Sequence, residues 1–257
     1  MSKSETRASP RTIELDEIDS TSSEAMRRAS TGERGPLWIR AIRQTAGRGR
    51  SGRPWSSGDG NLAASLVFEP RCPIGSVHQL ALLAGVAVHD AVSLFTTPGA
   101  AALALKWPND LLIGPAKLGG ILTESTTFDG RLIAVIGVGV NIVKAPEVGA
   151  RSITRLTDHT TRIPSPRLLL TALAARFDAW LQAWNSGSGF DAIRAAWLER
   201  ALPIGCPMTI QSGSGPVAGC FAGLDPTGAL ILSDVNGHQR RFSYGDVTLE
   251  PAKEHPR

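Results

Sequence analysis

The stretch QTAGRGRSGRPW, residues 44–55, sets Arg48, Arg50 and Arg53 within six positions and spaces them with Gly47, Gly49, Ser51 and Gly52. The segment is too polar to enter a core and too glycine-rich to hold a helix. Its backbone N–H groups can turn toward an anion, and its guanidinium groups offer forked donors to phosphate or carboxylate. Arginine–glycine runs also serve in RNA-binding arms, but such arms lean on repeated aromatics for stacking, which this stretch lacks. The expectation is a loop that closes over a phosphate-bearing ligand.

A second constellation is KWPNDLLIGPAKLGGIL, residues 106–122. Lys106 and Lys117 bracket a turn that contains Asn109 and Asp110. A hairpin with solvated lysines would show the same spacing. Lys117, however, runs directly into Leu118-Gly119-Gly120, where missing side chains let a ligand approach the backbone. Asp110 suits Mg²⁺, which takes one or two carboxylates together with phosphate oxygens. The third stretch is GVGVN, residues 137–141, whose glycines let a flat group lie against the chain and whose Asn141 both donates and accepts. It lacks the following helix of a dinucleotide fingerprint, and no P-loop or nucleophile elbow occurs in the chain. Trp55, closing the arginine loop, and Trp107, beside Lys106, are the two tryptophans placed to line a pocket.

These residues need elements to hold them. IELDEI (13–18) alternates like a half-buried strand. Thr21-Ser22-Ser23-Glu24 has the form of a capping box and opens a helix to about Ser30. LWIRAIR (37–43) is a strand that feeds the arginine loop, and NLAASLVFE (61–69) is a buried strand after it. Helical spacing of Leu80, Leu83, Ala84, Ala87, Ala91, Leu94 and Phe95 predicts a core helix over 76–95. Strands follow at 103–107, 111–113, 118–125 and 131–140, then helices at 167–184 and 189–200. From Pro203 short β-type runs broken by glycine every eight to ten residues predict a small antiparallel barrel. The domain boundary is placed near residue 202: residues 1–12 a polar tail, 13–202 the main domain, 203–250 the barrel, 251–257 a second tail.

The whole chain sets bounds. Its 257 residues, 42% hydrophobic and 19% charged, describe a globular protein with room for a sizeable core. A formal net charge of +4 fits an anionic small molecule as well as nucleic acid. Cys72, Cys206 and Cys220 form no C-x-x-C pair, and the five histidines are scattered, so reduced thiols in a cytoplasm are expected rather than a metal centre. The N-terminal residues lack an apolar h-region, and no apolar run is long enough to span a bilayer, so a membrane partner is not expected.

Together the segments DSTSSEA (19–25), QTAGRGRSGRPW, NLAASL (61–66), KWPNDLLI, KLGGIL (117–122) and GVGVNI (137–142) resemble the biotin protein ligase family, in order and in spacing. The resemblance implies an α+β catalytic fold of the class II synthetase-like, biotin–lipoate ligase type. That fold is a mixed, mostly antiparallel sheet with helices on one face, followed by an SH3-like barrel. It also implies a two-step reaction: biotin and MgATP give biotinyl-5′-AMP, and a lysine of a biotin carboxyl carrier domain of acetyl-CoA carboxylase or a related carboxylase then takes the biotin. Carried over, Ser20, Thr21, Ser22, Gln44, Gly47, Arg48, Gly49, Arg50, Lys117 and Gly119 would bind biotin. Arg50, Arg53, Trp55, Lys106, Asn109 and Asn141 would bind ATP, Asp110 would hold Mg²⁺, and Arg48, Arg50 and Lys117 would act in catalysis. The family usually has Asn where this chain has Ser22. Only about a dozen residues precede the first strand, too few for the helix-turn-helix of the family's repressor members, so specific DNA binding is not expected.

Overall fold

The computed structural model describes residues 10–97, 101–147, 152–213 and 215–249. A seven-stranded sheet forms the centre. Its strands are β1 (Thr12–Ile18), β2 (Leu37–Gln44), β3 (Leu62–Phe68), β4 (Leu103–Lys106), β5 (Asp110–Ile113), β6 (Ala116–Phe128) and β7 (Arg131–Val140), in the order β1-β2-β3-β7-β6-β5-β4. β1 runs parallel to β2 and every other neighbouring pair is antiparallel. The two tails fall mostly outside the described residues, although Thr12 already belongs to β1.

Alternation along the strands divides the side chains between two faces. Trp38, Leu66, Phe68, Ile136 and Val138 join the larger core, under α2 (Gln79–Ser93), α3 (Pro166–Trp184) and α4 (Phe190–Glu199). Leu37, Ile39, Val67, Ile133 and Val135 point the other way, against Ala25 and Ala29 of α1 (Thr21–Ser30). Three helices therefore share one face and the short α1 covers part of the other. β3 is buried at every position because both of its faces are covered, which is why its sequence lacks polar alternation and departs from apolar residues and alanine only at Ser65. α2 is shorter than the 76–95 expected from spacing: residues 74–76 form a separate 3₁₀ turn ahead of it.

The second sheet is antiparallel, ordered β11-β10-β9-β8-β12, from β8 (Pro207–Ser212), β9 (Gly215–Leu224), β10 (Leu230–Ser233), β11 (Gln239–Phe242) and β12 (Asp246–Leu249). It packs on the larger, seven-stranded half through Trp197 and Phe221, whose rings meet edge to face at 6.4 Å. Trp107 is spent here too. Its indole is buried and Nε1 donates to Gly228 O at 3.2 Å, so it lines the core and not a pocket. Among the described residues no helix is long and apolar enough to cross a membrane.

Candidate ligand-binding site

A cavity of about 510 Å³ opens where β2, β6, β7 and the arginine loop meet β12. This is the size that takes a drug-sized ligand. Ser20, Thr21, Ser22 and Gln44 line one part of it; Arg48, Gly49, Arg50, Arg53, Trp55, Lys106, Asn109, Asp110, Lys117 and Asn141 line the rest. Stretches separated by more than a hundred residues in sequence thus share one wall.

The loop is a small hairpin. Trp55 N–H donates to Gly47 O at 2.8 Å and Gly49 N–H to Arg53 O at 2.7 Å. Gly47 and Gly119, expected to touch biotin, do not reach the cavity. A Cβ on Gly47 would lie 2.4 Å from Trp55 O, and one on Gly119 would lie 2.7 Å from Gly139 O, so both glycines are required by backbone packing. Trp55 lies flat over Gly139, with indole atoms 2.3–2.5 Å from where a Cβ would stand. Lys117 Nζ stands 5.7 Å from the Trp55 ring centroid, within cation–π range.

Carboxylates hold the loop's cations. Arg48 donates to Glu124 at 3.0 and 3.2 Å. Arg50 donates to Asn109 Oδ1 at 3.3 Å and to Gly245 O at 3.2 Å, and faces Asp246 at 3.6 Å. Arg53 pairs with the same Asp246. Burial lowers the Arg50 guanidinium from its ordinary value, with Asp246 opposing the shift. Lys106 Nζ donates to Val247 O at 2.7 Å. The barrel's last strand thus helps to close the site, which no motif in its sequence announces.

Asp110 lies between two cations. Lys106 Nζ stands 2.9 Å from one carboxylate oxygen and Lys117 Nζ caps the other. Burial alone would raise this carboxyl, but the two ammonium groups outweigh it and leave it lowered. With an ammonium group on each oxygen, Asp110 is the counter-ion that gathers the two lysines. No three His, Cys, Asp or Glu side chains converge to hold a metal among the described residues.

At the other end, Ser20 is the helix cap: its Oγ accepts from Ser23 N at 3.4 Å. The cap expected at Thr21 is therefore one residue earlier, and Glu24 pairs with Arg27 and Arg28 instead of closing a box. Thr21 is released to face the site, where its N–H and hydroxyl both donate to Gln44 Oε1, at 2.8 and 3.1 Å.

Two residues escaped the sequence reading. Ser65, in the middle of β3, touches both the Thr21 and the Ser22 hydroxyls. Asn61 Oδ1 accepts from the N–H groups of Ile142, Val143 and Lys144 at 2.9–3.1 Å and so fixes the chain after Asn141. Asn61 stands just ahead of β3 and Ser65 is a single small hydroxyl within it, so neither was marked by its local sequence. Asn141 itself donates to Thr154 O at 3.2 Å, while its Oδ1, like Trp55 Nε1, is buried without a partner.

Residues 14–141 match the Biotin/lipoate A/B protein ligase family. The biotin–(acetyl-CoA-carboxylase) ligase of Paracoccus denitrificans is 40% identical over 231 residues, spanning 88% of this chain and 95% of that protein. The chain belongs to the biotin protein ligase family. Two solved biotin protein ligases share its fold. That of Aquifex aeolicus, in complex with biotin and ATP, superposes with a TM-score of 0.77 at 27% identity, over 93% of this chain and 98% of its own. That of Leishmania major, in complex with biotinyl-5-AMP, gives 0.59 at 27% identity, over 92% and 100%. The catalytic sheet and the C-terminal barrel are thus both features of biotin protein ligases, and the cavity lies between them.

Proposed function

We propose that the protein joins biotin to ATP, giving biotinyl-5′-AMP and pyrophosphate, and then transfers the biotinyl group to a lysine of a biotin carboxyl carrier domain. One observation carries this reading: a hydroxyl–amide cluster and a cluster of five cationic side chains face the same cavity. A ligand with a neutral polar head and an anionic tail fits that division.

In the first step a biotin carboxylate oxygen attacks the α-phosphorus, and the bond from that phosphorus to the bridging oxygen of pyrophosphate breaks. Two anions must meet, and they repel unless fixed cations stand between them. Lys117, already gathered by Asp110, receives the carboxylate, while Arg48 and Arg50 lie over the developing adenylate. Arg53, Lys106, Trp55, Asn109 and Asn141 form the nucleotide side. Asn141 Oδ1, buried and unpartnered, is an acceptor suited to an amino group. Mg²⁺ enters as part of the nucleotide substrate, held by phosphate oxygens. In the second step a carrier lysine amine attacks the mixed anhydride's carbonyl carbon, the bond to AMP breaks, and the amine's proton passes to solvent. Positioning and electrostatic stabilisation supply the rate, and no side chain is covalently modified.

The test is direct. The protein is incubated with radiolabelled biotin and MgATP, and labelled biotinyl-AMP is expected, followed by label on an added carrier domain. Absence of adenylate would overturn the reading, and adenylation of lipoate in its place would reassign the substrate.

A further inference from the structure

Ser65 is fully buried in β3, a strand otherwise made of apolar residues and alanine, and it does not line the cavity. Its hydroxyl nevertheless stands 2.8 Å from Thr21 Oγ1 and 3.0 Å from Ser22 Oγ. We infer that Ser65 is a positioning residue that fixes the direction of a hydroxyl chain, so that Thr21 and Ser22 present only acceptors to the head group of the substrate. The inference rests on the biotin reading above and goes further, to how the pocket reads that head group.

The direction follows from one unambiguous donor. The Thr21 backbone N–H can only donate, so the Gln44 amide must turn its oxygen toward it, at 2.8 Å. That oxygen can only accept. The Thr21 hydroxyl, 3.1 Å from it, must therefore donate to it, because any other orientation would leave two lone-pair oxygens facing each other. With its proton spent, Thr21 Oγ1 accepts from Ser65. Ser65 then has no proton left for Ser22, and so Ser22 donates to Ser65. The order is Ser22 to Ser65 to Thr21 to Gln44.

The consequence is chemical. Ser22 and Thr21 each keep a lone pair for the cavity and no proton, while Gln44 Nε2 brings donors, only one of which reaches weakly toward Ser57 Oγ at 3.5 Å. Such a rim selects a head group with N–H beside C=O, which is the pattern of a cyclic urea. The packing supports the same arrangement: a Cβ on Gly137 would stand 2.6 Å from Ser22 Oγ, so glycine at 137 keeps that hydroxyl in line with Ser65.

The experiment compares the wild type with Ser65→Ala and with Ser65→Cys, which keeps a single donor–acceptor atom, slightly larger, and weakens the hydrogen bonds. KM values for biotin and ATP are measured separately, together with turnover of a biotin analogue in which one ring N–H is replaced by oxygen. In Ser65→Ala, Ser22 is free to donate. KM for biotin should rise about tenfold, as for loss of one ordered hydrogen bond, KM for ATP should hold, and preference for biotin over the analogue should shrink. Ser65→Cys should fall between. An unchanged biotin KM, or a parallel rise in both constants with undiminished preference, would overturn the inference. A wild type that cannot adenylate biotin would overturn the proposed function itself, a separate outcome.

Discussion

Replacing Gly139 with alanine should unseat the arginine loop without touching a charged residue. The added Cβ would stand 2.3 Å from Trp55 Cε2, 2.4 Å from Cζ2 and 2.5 Å from Nε1. Carbon atoms rest at about 3.5–4.0 Å, so the indole must retreat by roughly 1.2 Å or more. Trp55 is bonded to the neck of the loop hairpin through Gly47 O, so its retreat carries Arg48, Arg50 and Arg53 with it. Overpacking of this kind costs about 1–3 kcal/mol, and if the strain is relieved by opening the loop, closure weakens about 5- to 150-fold. The assay is release of labelled biotinyl-AMP from the enzyme, read beside the melting temperature. Adenylate should escape faster by a factor in that range while melting moves by only about 2–4 °C per kcal/mol actually lost to the fold. Trp55→Ala removes the ring that clashes, so Trp55→Ala/Gly139→Ala should behave as Trp55→Ala alone. Wild-type retention in Gly139→Ala, or a double variant clearly worse than Trp55→Ala, would refute the coupling of this glycine to the loop.

Two further outcomes are expected. Arg50→Ala loses the loop's contacts to Asn109 and to the barrel at Gly245 and should leak adenylate about tenfold faster or more, with stray lysines on unrelated proteins becoming labelled; mass spectrometry of a mixed protein target reads this. Asp110 titrates below its ordinary value of 3.8, so its contribution to stability is complete above that pH and is lost as pH falls through the lower folded value. Asp110→Asn should therefore be destabilised near neutrality, by about 3–5 kcal/mol if the two lysines are left uncompensated, and should lose less stability than the wild type as pH falls below about 4 in denaturant titrations, since other carboxylates lowered in the fold still titrate.

Much of the site could be read before any coordinates. Arginines among glycines cannot build a core, so their loop is expected at a polar surface, and Lys117 ahead of paired glycines is expected beside open backbone; the fold lines one cavity with both. Strand and helix faces followed from period 2 and period 3.6 alternation, because burial on one side is what alternation records. Those inferences depend only on residue type and local spacing. What they could not assign were the partners. Asp110 reads as a lone acidic residue in a turn, and the fold sets a lysine on each of its oxygens. Trp107 was a pocket wall until Gly228 O took its indole. Thr21 was a cap until Ser20 took that role one residue earlier. Ser65 carried no local signal, and Asp246 lies almost two hundred residues beyond the arginines it holds. A hydrogen bond or ion pair spans about three ångströms in space and any distance in sequence, so only the folded chain decides which charge meets which and which way a shared proton points.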